Sequence, residues 1–171
     1  MIKRTVLIAA LALVATVAGP AVSGASAQNR LGGHIGFVLP LTTHADGKTT
    51  TIGDDFVIGF PMGITVRKSD TFAFDLELVP AVQNDPLHVG LTVHPGVVCG
   101  LGNGWGAGVR LAFDVNEPSW GFTPILNHGL LKMRGDSTLF GEVVVPIRFQ
   151  SVRRGDTTTS VGLGVHIGIG F

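Results

Sequence analysis

The chain has little charge, a single cysteine and no tyrosine. Its 171 residues include 12 Lys and Arg and 12 Asp and Glu, so the formal net charge is zero. The charged fraction is 14%, whereas a typical soluble domain has roughly 25%. The lack of a positive surplus argues against nucleic acid as a partner, and Cys99 alone cannot form an internal disulfide.

The N-terminal segment reads as a secretory signal peptide. Lys3 and Arg4 carry positive charge, an uncharged apolar run follows, and Ala25-Ser26-Ala27 has the small-x-small pattern of a cleavage site. The apolar run is shorter than the roughly 20 residues that a membrane-spanning helix needs. We therefore expect residues 1–27 to be removed and residues 28–171 to form one exported domain.

The mature chain lacks the three-four spacing of amphipathic helices and instead alternates apolar with small residues. In the last segment Val161, Leu163, Val165, Ile167 and Ile169 stand on one face, opposite Gly162, Gly164, His166, Gly168 and Gly170. A period of two predicts a β-strand. The same alternation predicts eight strands, at 31–41, 56–67, 72–78, 89–97, 105–115, 120–131, 138–149 and 160–171.

Charged residues within the predicted strands all fall on the glycine-containing face. They are Asp75, Glu77, Arg110, Asp114, Glu142 and Arg148. A water-facing sheet surface would be polar along its whole length, whereas glycine with a few long charged side chains suits the interior of a small barrel. The even number of strands, each about nine to eleven residues long, is typical of a membrane barrel. The sequence thus predicts an all-β, eight-stranded antiparallel up-and-down transmembrane β-barrel.

Aromatic residues stand near the ends of the predicted strands, as in the aromatic girdles of membrane barrels. One rim is expected to carry Phe72, Trp105 and Phe171, and the other Phe56, Phe113 and Trp120. The apolar alternation that ends at Phe171 resembles the C-terminal signal of bacterial outer-membrane β-barrel proteins. The chain is similar in pattern to the small eight-stranded members of that group. The resemblance implies a monomer in the outer membrane of a Gram-negative-type bacterium, with Phe171 as an assembly signal and with lipid and the barrel assembly machinery as partners.

The six charges on the glycine face predict a salt-bridge network that plugs the lumen, with Arg110 and Arg148 reaching acids on neighbouring strands. A polar track for water or small ions is the alternative for the same residues. The six histidines show no metal-ligand spacing, so we predict no metal and no cofactor, and the sequence identifies no specific ligand. The expected role is structural or surface interaction, not catalysis.

Two other classes of protein remain open. The first is a soluble periplasmic or secreted β-sandwich or lipocalin-like barrel that binds a small apolar ligand. The second is an outer-membrane hydrolase acting on lipid A or phospholipid. For the hydrolase, Asn127, His128 and Ser137 are the candidate residues, with His128 as the base.

Local features of the strands give further expectations. Proline cannot donate to a strand ladder, so Pro61 and Pro95, which fall near mid-strand, predict β-bulges. The segments 42–54, 83–88, 116–119 and 151–159 are predicted to be extracellular, because outer loops are generally longer than periplasmic turns. We also expect the glycine face at Gly164 to accept a charged side chain more readily than the lipid face at Val165.

Overall fold

A computed structural model describes residues 30–151 and 156–171, and the predicted signal peptide lies outside these ranges. The described residues form strands joined by turns. The strands are β1 (Arg30–Ala45), β2 (Lys48–Thr51), β3 (Val57–Gly59), β4 (Met62–Arg67), β5 (Phe72–Gln83), β6 (His88–Gly102), β7 (Trp105–Asp114), β8 (Ser119–Lys132), β9 (Thr138–Val144), β10 (Ile147–Ser151) and β11 (Thr157–Gly170). No helix within the described ranges is long and apolar enough to cross a membrane.

The strands close into an eight-stranded barrel. All pairings are antiparallel between neighbours along the chain, and the last strand returns to the first, with His34 opposite Gly170 and Ala45 opposite Ser160. The second barrel strand consists of β2, β3 and β4, and the seventh consists of β9 and β10. The predicted all-β, antiparallel up-and-down barrel is thus confirmed.

Two prolines account for breaks within the barrel strands. Pro61 lies between β3 and β4, and Pro146 lies between β9 and β10. Neither has an N–H to donate, but each still accepts. The amide of Gly36 donates to the Pro61 carbonyl at 2.9 Å, and the amide of Gly162 donates to the Pro146 carbonyl at 2.8 Å. The barrel therefore stays closed across both breaks.

The predicted bulge at Pro95 is wrong. β6 keeps its register with β5 through the pair Leu76 and Pro95, and its register with β7 is the same on both sides of the proline. The ladder between β6 and β7 has no pair at Pro95, so the missing N–H there displaces no residue. At Pro61 the strand is interrupted rather than bulged. The register shifts lie after Pro40, Gly100 and Gly129.

Most of the large apolar side chains of the barrel strands lie on the outer face, and a set of charged side chains is buried on the inner face. Along β5, Ala73, Asp75 and Glu77 are buried, while Phe74 and Leu76 between them are each 47% exposed. A water-soluble domain shows the opposite distribution, because charged residues are almost never fully buried unless they are paired. The aromatic residues of the two predicted rims lie at or just beyond the ends of strands at opposite ends of the barrel.

Glycine on the inner face leaves space for long side chains on neighbouring strands. A Cβ at Gly96 would lie 2.7 Å from Cγ of Arg110, and a Cβ at Gly168 would lie 2.8 Å from Cζ of Phe140. A Cβ at Gly63 would collide with the imidazole of His34. The glycines and the large inner residues therefore complement each other in shape.

The glycine face at Gly164 is closely packed. Gly164 is buried, and a Cβ there would lie 3.0 Å from both the Leu39 carbonyl oxygen and Cγ2 of Val144. A side chain at Gly164 would therefore require Val144 and the β1 backbone to shift by a few tenths of an ångström, and its tolerance of a charge relative to Val165 stays a prediction. Alternation identifies the inner face, but it does not show which inner positions are empty.

Candidate functional site: the polar cluster in the lumen

Arg110 lies at the centre of the lumen and contacts carboxylates from two strands. Its side chain projects from β7 and is 5% exposed. Nε donates to Oδ2 of Asp75 on β5 at 2.8 Å, and Nη1 donates to Oε1 of Glu142 on β9 at 2.8 Å. Nη1 also lies 3.6 Å from Oε2 of Glu77. One guanidinium is thus shared by three carboxylates, and further hydrogen-bond donors are needed to satisfy the buried acids.

Three histidines complete the hydrogen bonding of these acids. His34 Nε2 lies 2.9 Å from Oε2 of Glu77, and His94 Nδ1 lies 2.9 Å from the other oxygen of the same carboxylate. His166 Nδ1 lies 3.2 Å from Oε1 of Glu142. An ionised carboxylate only accepts hydrogen bonds, so these ring nitrogens are the donors. The charged residues of the cluster stand on β5, β7 and β9, and the histidines extend it to β1, β6 and β11.

The remaining two charged residues on the inner face are less closely connected to the cluster. Arg148 Nη1 donates to Oγ1 of Thr123 at 3.0 Å, and Nη2 contacts Nε2 of His94 at 3.1 Å. Asp114 accepts from Oγ1 of Thr92 at 2.6 Å. The structure therefore brings four of the six predicted residues together: Asp75, Glu77, Arg110 and Glu142. Arg148 is connected to them through His94. Asp114 is hydrogen-bonded to Thr92 instead.

Apolar residues fill the lumen beside the polar cluster. Phe140 on β9 makes edge-to-face contacts with His166 and His34, with ring centroids 5.0 and 6.1 Å apart. Ile125 and Val144 are buried nearby on the inner face. Phe140 and Val144 stand two positions before and after Glu142 on β9. The period of two along this strand therefore also predicts that both side chains face inward.

The polar cluster separates two cavities. One, of about 640 Å³, opens at the end of the barrel where β1 begins and β11 ends, and its lining includes Arg67 and Lys132. The other, of about 160 Å³, lies at the opposite end and is lined by His88, Asp114 and Glu117, among others. Asp75, Arg110 and Glu142 form the floor of the larger cavity.

One group of potential metal ligands lies inside the cluster. Ligand atoms of His34, Asp75 and Glu77 lie within 4.8 Å of one another. Arg110 donates to Asp75 at 2.8 Å and lies 3.6 Å from Glu77. A metal ion would therefore have to displace a guanidinium from the same carboxylates, and we assign no metal site here.

The candidate residues of a hydrolase are not brought together among the described residues. His128 stacks on the ring of Trp105 at 4.4 Å between centroids, and its Nδ1 is buried without a hydrogen-bond partner. Asn127 lies 3.5 Å from the carboxylate of Glu142, and Ser137 contacts the backbone amide of Met133 through its carbonyl. Neither of these two residues is hydrogen-bonded to His128.

Phe171 lies at the rim of the larger cavity. Its amide donates to the Gly33 carbonyl at 2.9 Å, and the Gly33 amide donates to its carbonyl at 2.8 Å. These two bonds continue the ladder between the first and last barrel strands. The residue itself is 61% exposed.

The chain has a structural similarity to an outer membrane protein of known structure. No protein-family model matches the sequence, and no curated protein matches it. The chain is similar to the outer membrane protein OprG from Pseudomonas aeruginosa, with 14% sequence identity and a TM-score of 0.43, over 86% of this chain and 96% of that chain. The chain's class is defined by its own strand pairing, as a closed eight-stranded antiparallel barrel.

Proposed function

We propose that this chain is a small outer-membrane β-barrel protein with a structural or surface-interaction role. The observation that carries the proposal is the inverted distribution of side chains. Phe74, Leu76 and Leu111 are each nearly half exposed on the outer face, while a paired cluster of charges is buried inside. A soluble monomer rarely exposes so continuous an apolar surface, and lipid is the environment in which that surface is stable.

We also propose that the lumen is closed and that the protein is not a general pore. An eight-stranded barrel leaves interior space only for side chains. The contacts of Arg110 with acids on β5 and β9 run across that space, between the two cavities. This arrangement favours a plug over a continuous polar track.

The polar interior also bears on the lipocalin-like alternative. A soluble carrier of an apolar ligand requires an apolar interior and a polar exterior. Here the larger cavity has Asp75, Arg110 and Glu142 at its floor, and large apolar residues cover the outside. These features support the membrane proposal over the soluble carrier.

The experiment that tests the proposed class is gel migration before and after boiling, combined with planar-bilayer recording. A stable barrel resists unfolding in detergent until it is heated, so unboiled and boiled protein should migrate differently. The inserted protein should show no steady conductance at neutral pH. Release of the native protein in the soluble fraction would contradict the membrane location. Steady nanosiemens conductance with normal heat-modifiability would contradict only the closed lumen.

We propose that both chain ends face the periplasm. The hairpin formed by β1 and β2 then projects outside the cell. Residues 152–155 of the predicted extracellular loop 151–159 lie outside the described residues. Lys48 in that hairpin and Lys68 at the opposite end are both exposed, so each can carry a cysteine in a Cys99→Ser background. An impermeant thiol reagent on intact cells should label the cysteine at 48 and not the one at 68. The reverse pattern would invert the proposed topology.

Phe171 is the proposed assembly signal, read by the barrel assembly machinery. Its exposed position at the rim means that its removal costs little packing. We expect Phe171→Ala to lower the amount of folded protein in the outer membrane of cells, while refolding into lipid vesicles is nearly unchanged. An equal loss in cells and in vesicles would show that Phe171 acts through stability rather than through recognition.

A further inference from the structure

The two acids at the floor of the larger cavity already have a donor on each carboxylate oxygen. Asp75 accepts from Arg110 Nε on Oδ2 and from Oγ1 of Thr65 on Oδ1, both at 2.8 Å. Glu142 accepts from Arg110 Nη1 on Oε1, and its Oε2 lies 3.5 Å from Nδ2 of Asn127. A cation that entered this cavity would therefore have to displace a donor from either acid.

Arg110 keeps one nitrogen available to the cavity. Its hydrogen bonds use Nε and Nη1, and Nη2 has no protein partner within the described ranges. The enclosed polar atoms that lack a partner in those ranges belong to Asp55, His128 and His166. Nη2 is therefore not enclosed, and it is open to the cavity that Arg110 lines.

Asn127 keeps one acceptor available to the same cavity. The carboxylate of Glu142 only accepts hydrogen bonds, so Nδ2 of Asn127 faces it and Oδ1 points away. Oδ1 lies over the inner face of β7, where a Cβ at Gly106 would be 2.6 Å from it. Asn127 and Gly106 both line the larger cavity, and no donor from the described part of the chain reaches Oδ1.

We propose that the larger cavity binds a small uncharged amide, whose carbonyl oxygen accepts from Nη2 of Arg110 and whose N–H donates to Oδ1 of Asn127. The two side chains contact the two oxygens of one carboxylate, that of Glu142, so one ligand can reach both. The cavity volume of about 640 Å³ falls within the roughly 300–1,000 Å³ of small-molecule sites. This inference goes beyond the proposed structural role and does not depend on a closed lumen.

The charges at the floor favour an uncharged ligand. An anion at Nη2 would lie close to the three carboxylates that share the guanidinium, Asp75, Glu77 and Glu142. A cation would lie against the guanidinium itself. Like charges repel strongly where water is largely excluded, whereas a neutral amide supplies the missing acceptor and donor without adding a charge.

The test is calorimetric titration of the purified mature protein in lipid nanodiscs at neutral pH. Benzamide, benzoate and benzamidinium are the probes, because they share size and planar shape and differ in charge. We expect benzamide to saturate one site and the two ions to bind at least about tenfold more weakly.

Variants at matched asparagines locate the site. Asn127→Leu keeps a similar volume and removes Oδ1, so it should weaken benzamide binding about tenfold. Asn116→Leu makes the same change in the smaller cavity and should bind benzamide as the wild type does.

A second variant keeps the test decisive if Asn127→Leu does not fold. Gly170 lines the larger cavity, and a Cβ there would have its nearest neighbour 3.8 Å away. Gly170→Leu should therefore fold, occupy the cavity and abolish benzamide binding. Heat-modifiable migration of each variant establishes that the barrel is intact.

The proposed site is overturned if benzamide does not bind, or if either ion binds as tightly as benzamide does. It is also overturned if Gly170→Leu or a folded Asn127→Leu binds benzamide as the wild type does, or if Asn116→Leu loses binding. Each of these results would leave the proposed membrane barrel intact, because that proposal is tested by fractionation and heat-modifiability.

Discussion

At the scale of single residues, Arg110 is the group on which the buried carboxylates depend. Its removal leaves Asp75, Glu77 and Glu142 without their shared cation in a site where Glu77 and Glu142 are 4% or less exposed. Breaking a buried ion pair in this way typically costs about 3–5 kcal/mol. We expect Arg110→Ala to lower the free energy of unfolding by about 3 kcal/mol, measured by urea titration of the protein in lipid vesicles.

The control for this substitution is Arg30→Ala. Arg30 pairs with Asp70 at 3.1 Å, but both side chains are largely exposed, and such a pair contributes about 0–1 kcal/mol. Equal unfolding free energies for the two variants would contradict the assignment of Arg110 as the centre of the cluster.

The shape of the inner face makes a separate prediction at the residue scale. A Cβ at Gly96 would meet Cγ of Arg110 at 2.7 Å and the Val109 carbonyl at 2.6 Å, whereas a Cβ at Gly90 would find its nearest neighbour at 3.9 Å. Both glycines lie on the inner face of β6. We expect Gly96→Ala to destabilise the barrel by about 1–3 kcal/mol through overpacking, and Gly90→Ala to change its stability by less than about 1 kcal/mol.

Thermal or urea unfolding of the two glycine variants compares them directly. If both are tolerated equally, the inner face is looser than the contacts of Arg110 indicate.

Periodicity identifies the face of a residue but not its partners. The alternation of Asp75, Glu77 and Glu142 with apolar neighbours was enough to place them inside. The alternation could not show that Arg148 contacts His94 rather than an acid, because these two residues are 54 positions apart in the chain. Asp114 bonds to Thr92 because the register sets these two residues side by side. Register depends on the whole barrel, and no single segment of sequence contains it.

At the scale of the strands, the outer face of β11 allows the bilayer midplane to be compared with the membrane interface. Val165 lies in the middle of the strand and pairs with Leu39 and Val143. Thr159 stands on the same outer face but near the end of the strand, opposite Phe149 at the aromatic rim that includes Trp120. An arginine at the bilayer midplane should cost about 2–4 kcal/mol, and near the interface about 0–1 kcal/mol. We therefore expect Val165→Arg to block folding into vesicles and Thr159→Arg to fold as the wild type does.

The yield of heat-modifiable protein after refolding measures both variants. Equal yields would mean that the outer face of β11 does not meet lipid.

The strands were predictable in number and facing, but not in length. β1 continues past the predicted end at Leu41 to Ala45, and β6 runs to Gly102 rather than to residue 97. The β1 extension, residues 42–45, is mostly polar on both faces, whereas the β6 extension, residues 98–102, consists of apolar and small residues. Backbone pairing continues there, as in Thr43 opposite Thr50, without the apolar contrast that marks a strand in sequence. Apolar alternation therefore predicts the span of the apolar band, and the strands are longer than that band.

At the scale of the whole molecule, composition and fold both agree with the proposed location of the barrel in lipid. A barrel in lipid needs few charges, because its outer face meets hydrocarbon and its inner face has space for only a few long side chains. The charged fraction of 14% and the 25 glycines are what this arrangement requires. The same low charge in a soluble barrel of this size would leave its apolar exterior prone to association.

The two tryptophans test directly whether the barrel spans the bilayer with each rim at an interface. Trp105 and Trp120 are the only tryptophans in the sequence; they stand near opposite rims of the barrel and are 46% and 54% exposed. The decisive measurement is tryptophan fluorescence of the refolded protein in phosphatidylcholine vesicles brominated at defined acyl-chain depths, with Trp105→Phe and Trp120→Phe separating the two signals. We expect both tryptophans to be quenched, and more strongly by bromine near the headgroup than by bromine near the chain end. Quenching of neither tryptophan, or of only one, would contradict a barrel that spans the bilayer with its apolar face toward lipid.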